Sequence, residues 1–269
     1  MSLSDLGINY QLYHTGIPVG MPVPGNNGIL DMGLQTLAGT YTVVGTNVFT
    51  GCVNNMTGSA TIGINPLPAV YTLSSGASSY CSGASGLNVV LPSSQLGVNY
   101  QLMLGASPVG SALTGTGSAL NFGLQTAAGT YTAVATNNVT NCISVMNSAA
   151  ISINSLPAQY NVTGGGFYCS GSTIPHVGIG FSSIGVSYQL YRGITPVGAA
   201  LLGSSSSLDF GAQATPGVYS VVGTNVTTGC QNNMLNTVTI TIASPPVSYI
   251  LTASGSSYCN GDAGIDMQL

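Results

Sequence analysis

Short runs of apolar or alternating residues recur along the chain, with Gly, Ser, Asn and Pro between them. One stretch shows the pattern well: Val70–Ser74, Leu87–Leu91, Asn99–Leu104, Ala119–Phe122, Thr130–Thr136 and Ala149–Ile153. Alternation with a period of two, bounded by turn residues, predicts β-strands. Val89, Leu91, Leu102 and Val134 are the expected inward residues. No window carries a 3.6-residue period, and 38 glycines argue against helix.

The pattern repeats. A Tyr-Gln-Leu phrase falls at Tyr10, Tyr100 and Tyr188, and a Pro-Val-Gly phrase at Pro18, Pro108 and Pro196. A Tyr-Cys-x-Gly phrase falls at Cys81, Cys169 and Cys259. Successive copies are 88 or 90 residues apart. That period is too long for a solenoid unit and suits an autonomous sandwich of about 100 residues. The expected fold class is therefore all-β: tandem immunoglobulin-like β-sandwich domains arranged end to end. The six runs above take the sandwich letters A, B, C, E, F and G in order.

Short Pro-marked linkers at Asn65–Pro68, Asn154–Pro157 and Ala243–Pro246 set the expected boundaries. Residues 1–66 are a partial repeat with strands C to G. Residues 67–156 and 157–245 are complete repeats, and 246–269 hold strands A and B of a fourth. Pro-rich spacers favour extended geometry, so little swing is expected at the joints. Both ends of the sequence fall at one phase, within strand B. Two explanations stand: an excerpt from a longer repetitive chain, or completion of residues 1–66 by residues 247–269 of a neighbour through β-strand addition.

One phrase of fourteen residues occurs three times: GTYTVVGTNVFTGC, GTYTAVATNNVTNC and GVYSVVGTNVTTGC. Each opens on Gly-x-Tyr, the pattern of a tyrosine corner at the start of strand F, with Tyr41, Tyr131 and Tyr219 as the corner residues. Val43, Ala133 and Val221 stand where antibody domains place a core cysteine. Tyr10, Tyr100 and Tyr188 stand on strand C in place of the usual Trp. The core is thus expected to be held by packing, without a disulfide.

Each phrase closes on a cysteine: Cys52, Cys142 or Cys230. The other three, Cys81, Cys169 and Cys259, precede strand B. Six cysteines at matched positions in polar sequence, with no Cys-x-x-Cys, point to disulfides and an oxidising compartment. A disulfide needs Cα atoms about 4.4–6.8 Å apart. In a sandwich, F ends at one pole and B begins at the other, which favours a bond across a domain junction, Cys81 with Cys230. Pairing within a repeat, Cys81 with Cys142 and Cys169 with Cys230, is the alternative.

The phrases YCSGASGLNVVL, GVNYQLMLGASPVG and LNFGLQTAAGTYTAVATN, with the Pro-Leu-Pro linkers, resemble the Ig-like/PKD-like tandem repeats of giant SprB-type surface adhesins of gliding and related Bacteroidetes. The resemblance covers essentially the whole chain. It implies a very long parent, type IX secretion, a cell-surface location and a role in adhesion or filament formation.

Composition narrows the chemistry. Lys+Arg is 1 and Asp+Glu is 5; the single base is Arg192 and every acid is Asp. A net charge of −4 excludes the basic field that nucleic acid or anionic lipid requires. No apolar run reaches a membrane-spanning length. His14 and His176 lie at non-equivalent positions of the repeat, and Asp31 and Asp209 share a position that holds Asn121 in the middle copy. Those aspartates are expected to make structural hydrogen bonds. No catalytic motif, cofactor site or metal set emerges, so no enzyme is expected. Asn55, Asn138, Asn161 and Asn225 open Asn-x-Thr triplets, read as loop sequence. Without Lys, isopeptide staples are impossible and trypsin has one site, which fits an extracellular life. The expected partners are other repeats, identical chains in a fibre, and surface glycans or a substratum.

Overall fold

The computed structural model describes residues 3–269. Every regular element in them is a β-strand. The first repeat contributes β1 (Ile8–His14), β2 (Ile17–Pro24), β3 (Gly39–Asn47), β4 (Val53–Asn55) and β5 (Ala60–Ile62). The middle repeat contributes β6 (Ser79–Cys81), β7 (Leu87–Leu91), β8 (Val98–Leu104), β9 (Ser107–Thr114), β10 (Leu120–Gln125), β11 (Gly129–Asn137), β12 (Ile143–Val145) and β13 (Ala149–Asn154). The third contributes β14 (Val162–Gly164), β15 (Gly166–Cys169), β16 (His176–Ile179), β17 (Val186–Arg192), β18 (Thr195–Leu202), β19 (Leu208–Ala212), β20 (Gly217–Asn225), β21 (Gln231–Asn233) and β22 (Val238–Ala243). Two short strands follow, β23 (Thr252–Ala253) and β24 (Met267–Gln268).

The strands group into two compact units. The first holds the chain up to Ser74 with Val90–Phe122 and Thr130–Ala149; the second holds Ser75–Val89, Gly123–Gly129 and Ala150–Leu269.

The third repeat lies wholly in the second unit and shows the full sandwich. One sheet runs β15-β22-β20-β17-β18, with β21 also on β20; the other runs β14-β16-β19. In sandwich letters these are A′-G-F-C-C′ and A-B-E, an immunoglobulin-like arrangement. Val177 and Ile179 from β16 meet Tyr188 and Leu190 from β17 and Tyr219 and Val221 from β20 in one buried cluster. Strand A is split. After β14, Gly164, Gly165 and Gly166 all take positive φ (85°, 78° and 125°) and carry the chain to β15, which pairs parallel with β22. Left-handed backbone of this kind costs a Cβ-bearing residue energy that glycine avoids.

In the first unit, the first repeat forms the sheet β2-β1-β3-β4, with β5 on β3. The middle-repeat strands β8, β9, β11 and β12 pair in the same antiparallel pattern. No described strand of the first repeat takes the part of β7 or β10. Ile29, Leu34 and Leu37 are exposed there, Leu34 at 99%, while Leu30 and Met32 are half-buried.

Three expectations need correction. Val134 is not inward: β11 buries Tyr131, Ala133 and Ala135, and a period of two puts Val134 on the opposite, half-buried face. Strand A of the middle repeat is not continuous over Val70–Ser74. Only Thr72 and Ser74 make bridges there, to Asn147 and Val90. Strand C′ (β2, β9, β18) is an element the alternation concealed, because its Pro-Val-Gly core reads as a turn. It is an edge strand, where Pro is tolerated.

The C–C′ pair explains two of the repeated phrases together. Its register slips between Tyr100 and Leu102, and again at Tyr10/Leu12 and Tyr188/Leu190. A β-bulge of this kind leaves backbone acceptors unpaired. The Gln between those residues fills the gap. Gln101 Nε2 donates to the carbonyls of Leu102 (2.9 Å) and Val109 (3.1 Å), and Gln11 and Gln189 do the same in their repeats. The glycine of Pro-Val-Gly sits opposite, with φ of 67°, 62° and 63° at Gly20, Gly110 and Gly198. So Tyr-Gln-Leu and Pro-Val-Gly are two halves of one bulge.

A second set of glycines is needed for contact. A Cβ on Gly115 would lie 1.9 Å from the Gln95 carbonyl oxygen and 3.1 Å from the Tyr100 ring; Gly25 and Gly203 stand equally close to Asp5 and Ser183. Gly110 has no atom near its missing Cβ. Gly115→Ala is therefore expected to destabilise the chain by roughly 2–4 kcal/mol, and Gly110→Ala by only about 1 kcal/mol, its left-handed strain. Urea unfolding of both variants measures the difference; equal costs would contradict the close approach.

Candidate functional site

The sequence singles out two kinds of residue, tyrosines and cysteines. The tyrosines form the core. Tyr100, Tyr131, Tyr188 and Tyr219 are all at most 1% exposed. On strand C, the hydroxyls of Tyr10, Tyr100 and Tyr188 each accept a backbone N–H five residues earlier, from Asp5, Gln95 and Ser183, at 2.9 Å. Burial pushes the Tyr100 hydroxyl above its ordinary pKa, with the Gln95 N–H acting in the opposite sense. On strand F, Tyr41 donates to the Leu37 carbonyl (2.9 Å) and Tyr219 to the Thr215 carbonyl (2.7 Å). These bonds pin the E–F loop to the start of strand F.

The cysteines come out of two prebuilt turns. The first turn ends strand F. Asn47, Asn137 and Asn225 each accept two backbone N–H groups from the residues two and three ahead, at 2.9–3.0 Å. The Thr three places after each Asn then accepts the N–H of the cysteine, at 3.4, 3.3 and 3.3 Å for Cys52, Cys142 and Cys230. Side-chain oxygens of Asn and Thr closing backbone turns is their usual local role. Gly51, Asn141 and Gly229 take the left-handed backbone just before the cysteine.

The second turn starts at the other three cysteines, two of which end strand A′ (β6 and β15). The carbonyls of Cys81, Cys169 and Cys259 accept N–H from Ala84, Ser172 and Asp262 at 3.0, 3.0 and 3.1 Å. Gly83, Gly171 and Gly261 carry the positive φ that closes it. Tyr80, next to Cys81, donates to the Thr126 carbonyl, and Tyr168 donates to Ala214.

Cys81 and Cys230 are joined in a disulfide, with Cα atoms 5.6 Å apart and Cys230 fully buried. Cys52, Cys142, Cys169 and Cys259 are thiols. The within-repeat pairings, Cys81–Cys142 and Cys169–Cys230, are therefore set aside. The sheet register of the third repeat gives the reason. Cys169 lies beside Ala243, beyond the start of β20, whereas Cys230 lies past its end. Nine residues of strand put those two points roughly 30 Å apart. The bond therefore joins successive repeats. The chain between them is held as well: the Asn154 carbonyl accepts from Ser82 N (2.8 Å), and the Pro157 carbonyl accepts from Asn232 Nδ2 (2.8 Å).

The remaining polar residues are dispersed. Asp31 and Asp209 each accept the N–H two residues ahead, Gly33 and Gly211, at 2.8 Å. His176 Nδ1 also bonds Asp209, at 2.7 Å, and that bond, with the Gly211 N–H behind it, holds the Asp209 carboxyl below its ordinary pKa. His14 Nε2 meets the Ala38 carbonyl at 2.9 Å, and its ring packs against Tyr41. Among the described residues, no three His, Cys, Asp or Glu side chains gather as metal ligands.

No family model matches the sequence, and no curated protein does. Among solved structures, the human OSCAR ligand-binding domain is similar at 12% identity over 65% of this chain and 100% of its own, with a TM-score of 0.31. Murine CEACAM1b is similar at 14% identity over 64% of this chain and 99% of its own, TM-score 0.33. Sidekick-1 immunoglobulin domains 1–4 align at 11% identity over 93% of this chain and 69% of theirs, TM-score 0.25. At these scores the strand order carries the fold assignment: tandem immunoglobulin-like sandwiches.

The single base makes the disulfide easy to test. Trypsin cuts only at Arg192, which lies between the two bonded cysteines. Cleaved protein is expected to run as one species without reductant and as two with it. Cys81→Ser is expected to separate the fragments under both conditions, and Cys169→Ser only with reductant, as in the wild type. Separation caused by Cys169→Ser would show a bond within the third repeat instead.

Proposed function

We propose that this chain is an extracellular structural and adhesive module, a run of immunoglobulin-like repeats of the SprB adhesin type that spaces or builds a surface fibre. The observation that carries this is the Cys81–Cys230 bond between successive repeats. A disulfide persists in oxidising surroundings, and one placed between domains serves the line of domains more than either fold. The near-absence of Lys and Arg supports it, since secreted trypsin-like proteases find one site. Residues 67–156 and 157–245 act as the complete domains, with other repeats, identical chains and surface glycans or a substratum as partners. The chain does no catalysis. Antibodies against residues 157–245 are expected to label intact cells of the source organism, with the label lost on mild external proteolysis. Label found only after permeabilisation would end this reading.

A second reading rests on one register. The β23–β24 pair matches Thr252 with Gln268, and in the middle repeat Ser74 matches Val90. Each residue of the first pair lies 178 positions after its counterpart. Residues 247–269 thus hold the A–B arrangement with Leu251, Met267 and Leu269 exposed, where Leu73, Val89 and Leu91 are buried. Such a hairpin fits the open face of the first repeat in another copy, by β-strand addition, and would make the chain a filament subunit. Light scattering of the purified chain decides: concentration-dependent oligomers that vanish on deleting residues 247–269 favour it, and a monomer at high concentration rejects it.

A further inference from the structure

We propose that the Cys81–Cys230 disulfide is a tension bypass, which keeps most of two repeats off the load path when the chain is pulled from its ends. The bonded cysteines are separated by 149 positions, so 148 residues lie between them. Those residues include every strand from β7 to β20. Both sheets of the third repeat depend on them, as does the B-to-G part of the middle one. Tension is transmitted along the covalent chain, and a cross-link offers it a shorter route. Pulling force that reaches Cys81 through β6 crosses the S–S bond and leaves through Cys230 into β21 and β22. The loop between the cysteines can unfold locally, but it cannot lengthen the molecule.

The placement of the two cysteines suits this role. Cys81 is the last residue of β6, which is anchored in parallel register on β13, with Cys81 opposite Asn154. Cys230 directly precedes β21, which is hydrogen-bonded to β20. Load therefore enters and leaves through strands that are each paired to a neighbouring strand. A disulfide inside one sandwich would shield only that sandwich. One that skips from a repeat to the next shields parts of both and fastens their junction.

Extended chain spans at most about 3.3–3.6 Å per residue. Releasing 148 residues is thus worth roughly 500 Å of contour length. The experiment is single-molecule pulling on the full chain through handles at its two ends, with and without dithiothreitol. The oxidised chain is expected to reach full extension about 500 Å short of the reduced one. Cys81→Ser, pulled without reductant, is expected to match the reduced chain, and Cys169→Ser to match the oxidised one. Equal contour lengths in the oxidised and reduced wild type would overturn the bypass. So would a difference much smaller than 500 Å, which would place the bond elsewhere. Reducing the wild type after tethering keeps the test valid even if Cys81→Ser folds poorly. A use for the bypass in the cell rests on the fibre reading above, but the pulling result does not: surface labelling can fail while the bypass stands, and the reverse.

Discussion

In each repeat, one tyrosine on strand C sends its ring across the core and its hydroxyl to the backbone of the loop that precedes the strand. This contact sets the terms for the rest of the sandwich. The loop that gives this N–H is approached closely by Gly25, Gly115 and Gly203 at the end of strand C′, whose missing Cβ would strike the carbonyl of the same loop residue. That approach draws C′ against C over a bulge, and the bulge in turn needs the Gln that follows the tyrosine. A buried polar group without a partner costs about 1–3 kcal/mol, and here the tyrosine hydroxyl and the bulge carbonyls are each given one. The core can then do without the inter-sheet disulfide of antibody domains, and its cysteines are free for use outside the sandwich.

Much of this was legible in the sequence. The period near 90 and the two-residue alternation point to the sandwich, and the Gly-x-Tyr phrase places strand F to within a residue at either end. The alternation could also mislead. On strand F it points Val134 inward, although the phase set by Tyr131 buries Ala133 and Ala135, two small side chains that hydrophobicity alone does not favour. Strand C′ was hidden because its Pro and Gly are turn residues unless a bulge calls for them. The Asn and Thr that aim Cys230 were in plain view within the repeated phrase. Their role is not legible there because nothing in a sequence shows which side-chain oxygen closes which turn.

The joint follows from the same economy of parts. Two turns, each specified by a short polar phrase, present one cysteine at either pole of every sandwich. Neither turn requires the other for its geometry, since Cys142 and Cys169 sit in the same frames as Cys230 and Cys81 while remaining thiols. The bond thus joins sites that each domain has already shaped, and little ordering remains to be done when it closes. A cross-link formed between preorganised groups retains more of its stabilisation than one that must distort its surroundings.

The shortage of ionised groups has an effect on the solution behaviour of the molecule. Folding free energy varies with pH only where protons bind folded and unfolded chains differently, and screening by salt acts only where charges interact. Among the described residues, the hydrogen-bonded pair of His176 with Asp209 is exposed on both sides. Its carboxyl has a depressed folded pKa, so its small contribution is present above the ordinary aspartate value and fades as pH falls through the folded one. Surface pairs of this kind are worth about 0–1 kcal/mol. Stability in this chain is therefore carried almost entirely by uncharged contacts. A molecule built this way has little for mild acid or charge screening to act on, whereas both shift the balance in a protein of ordinary charge.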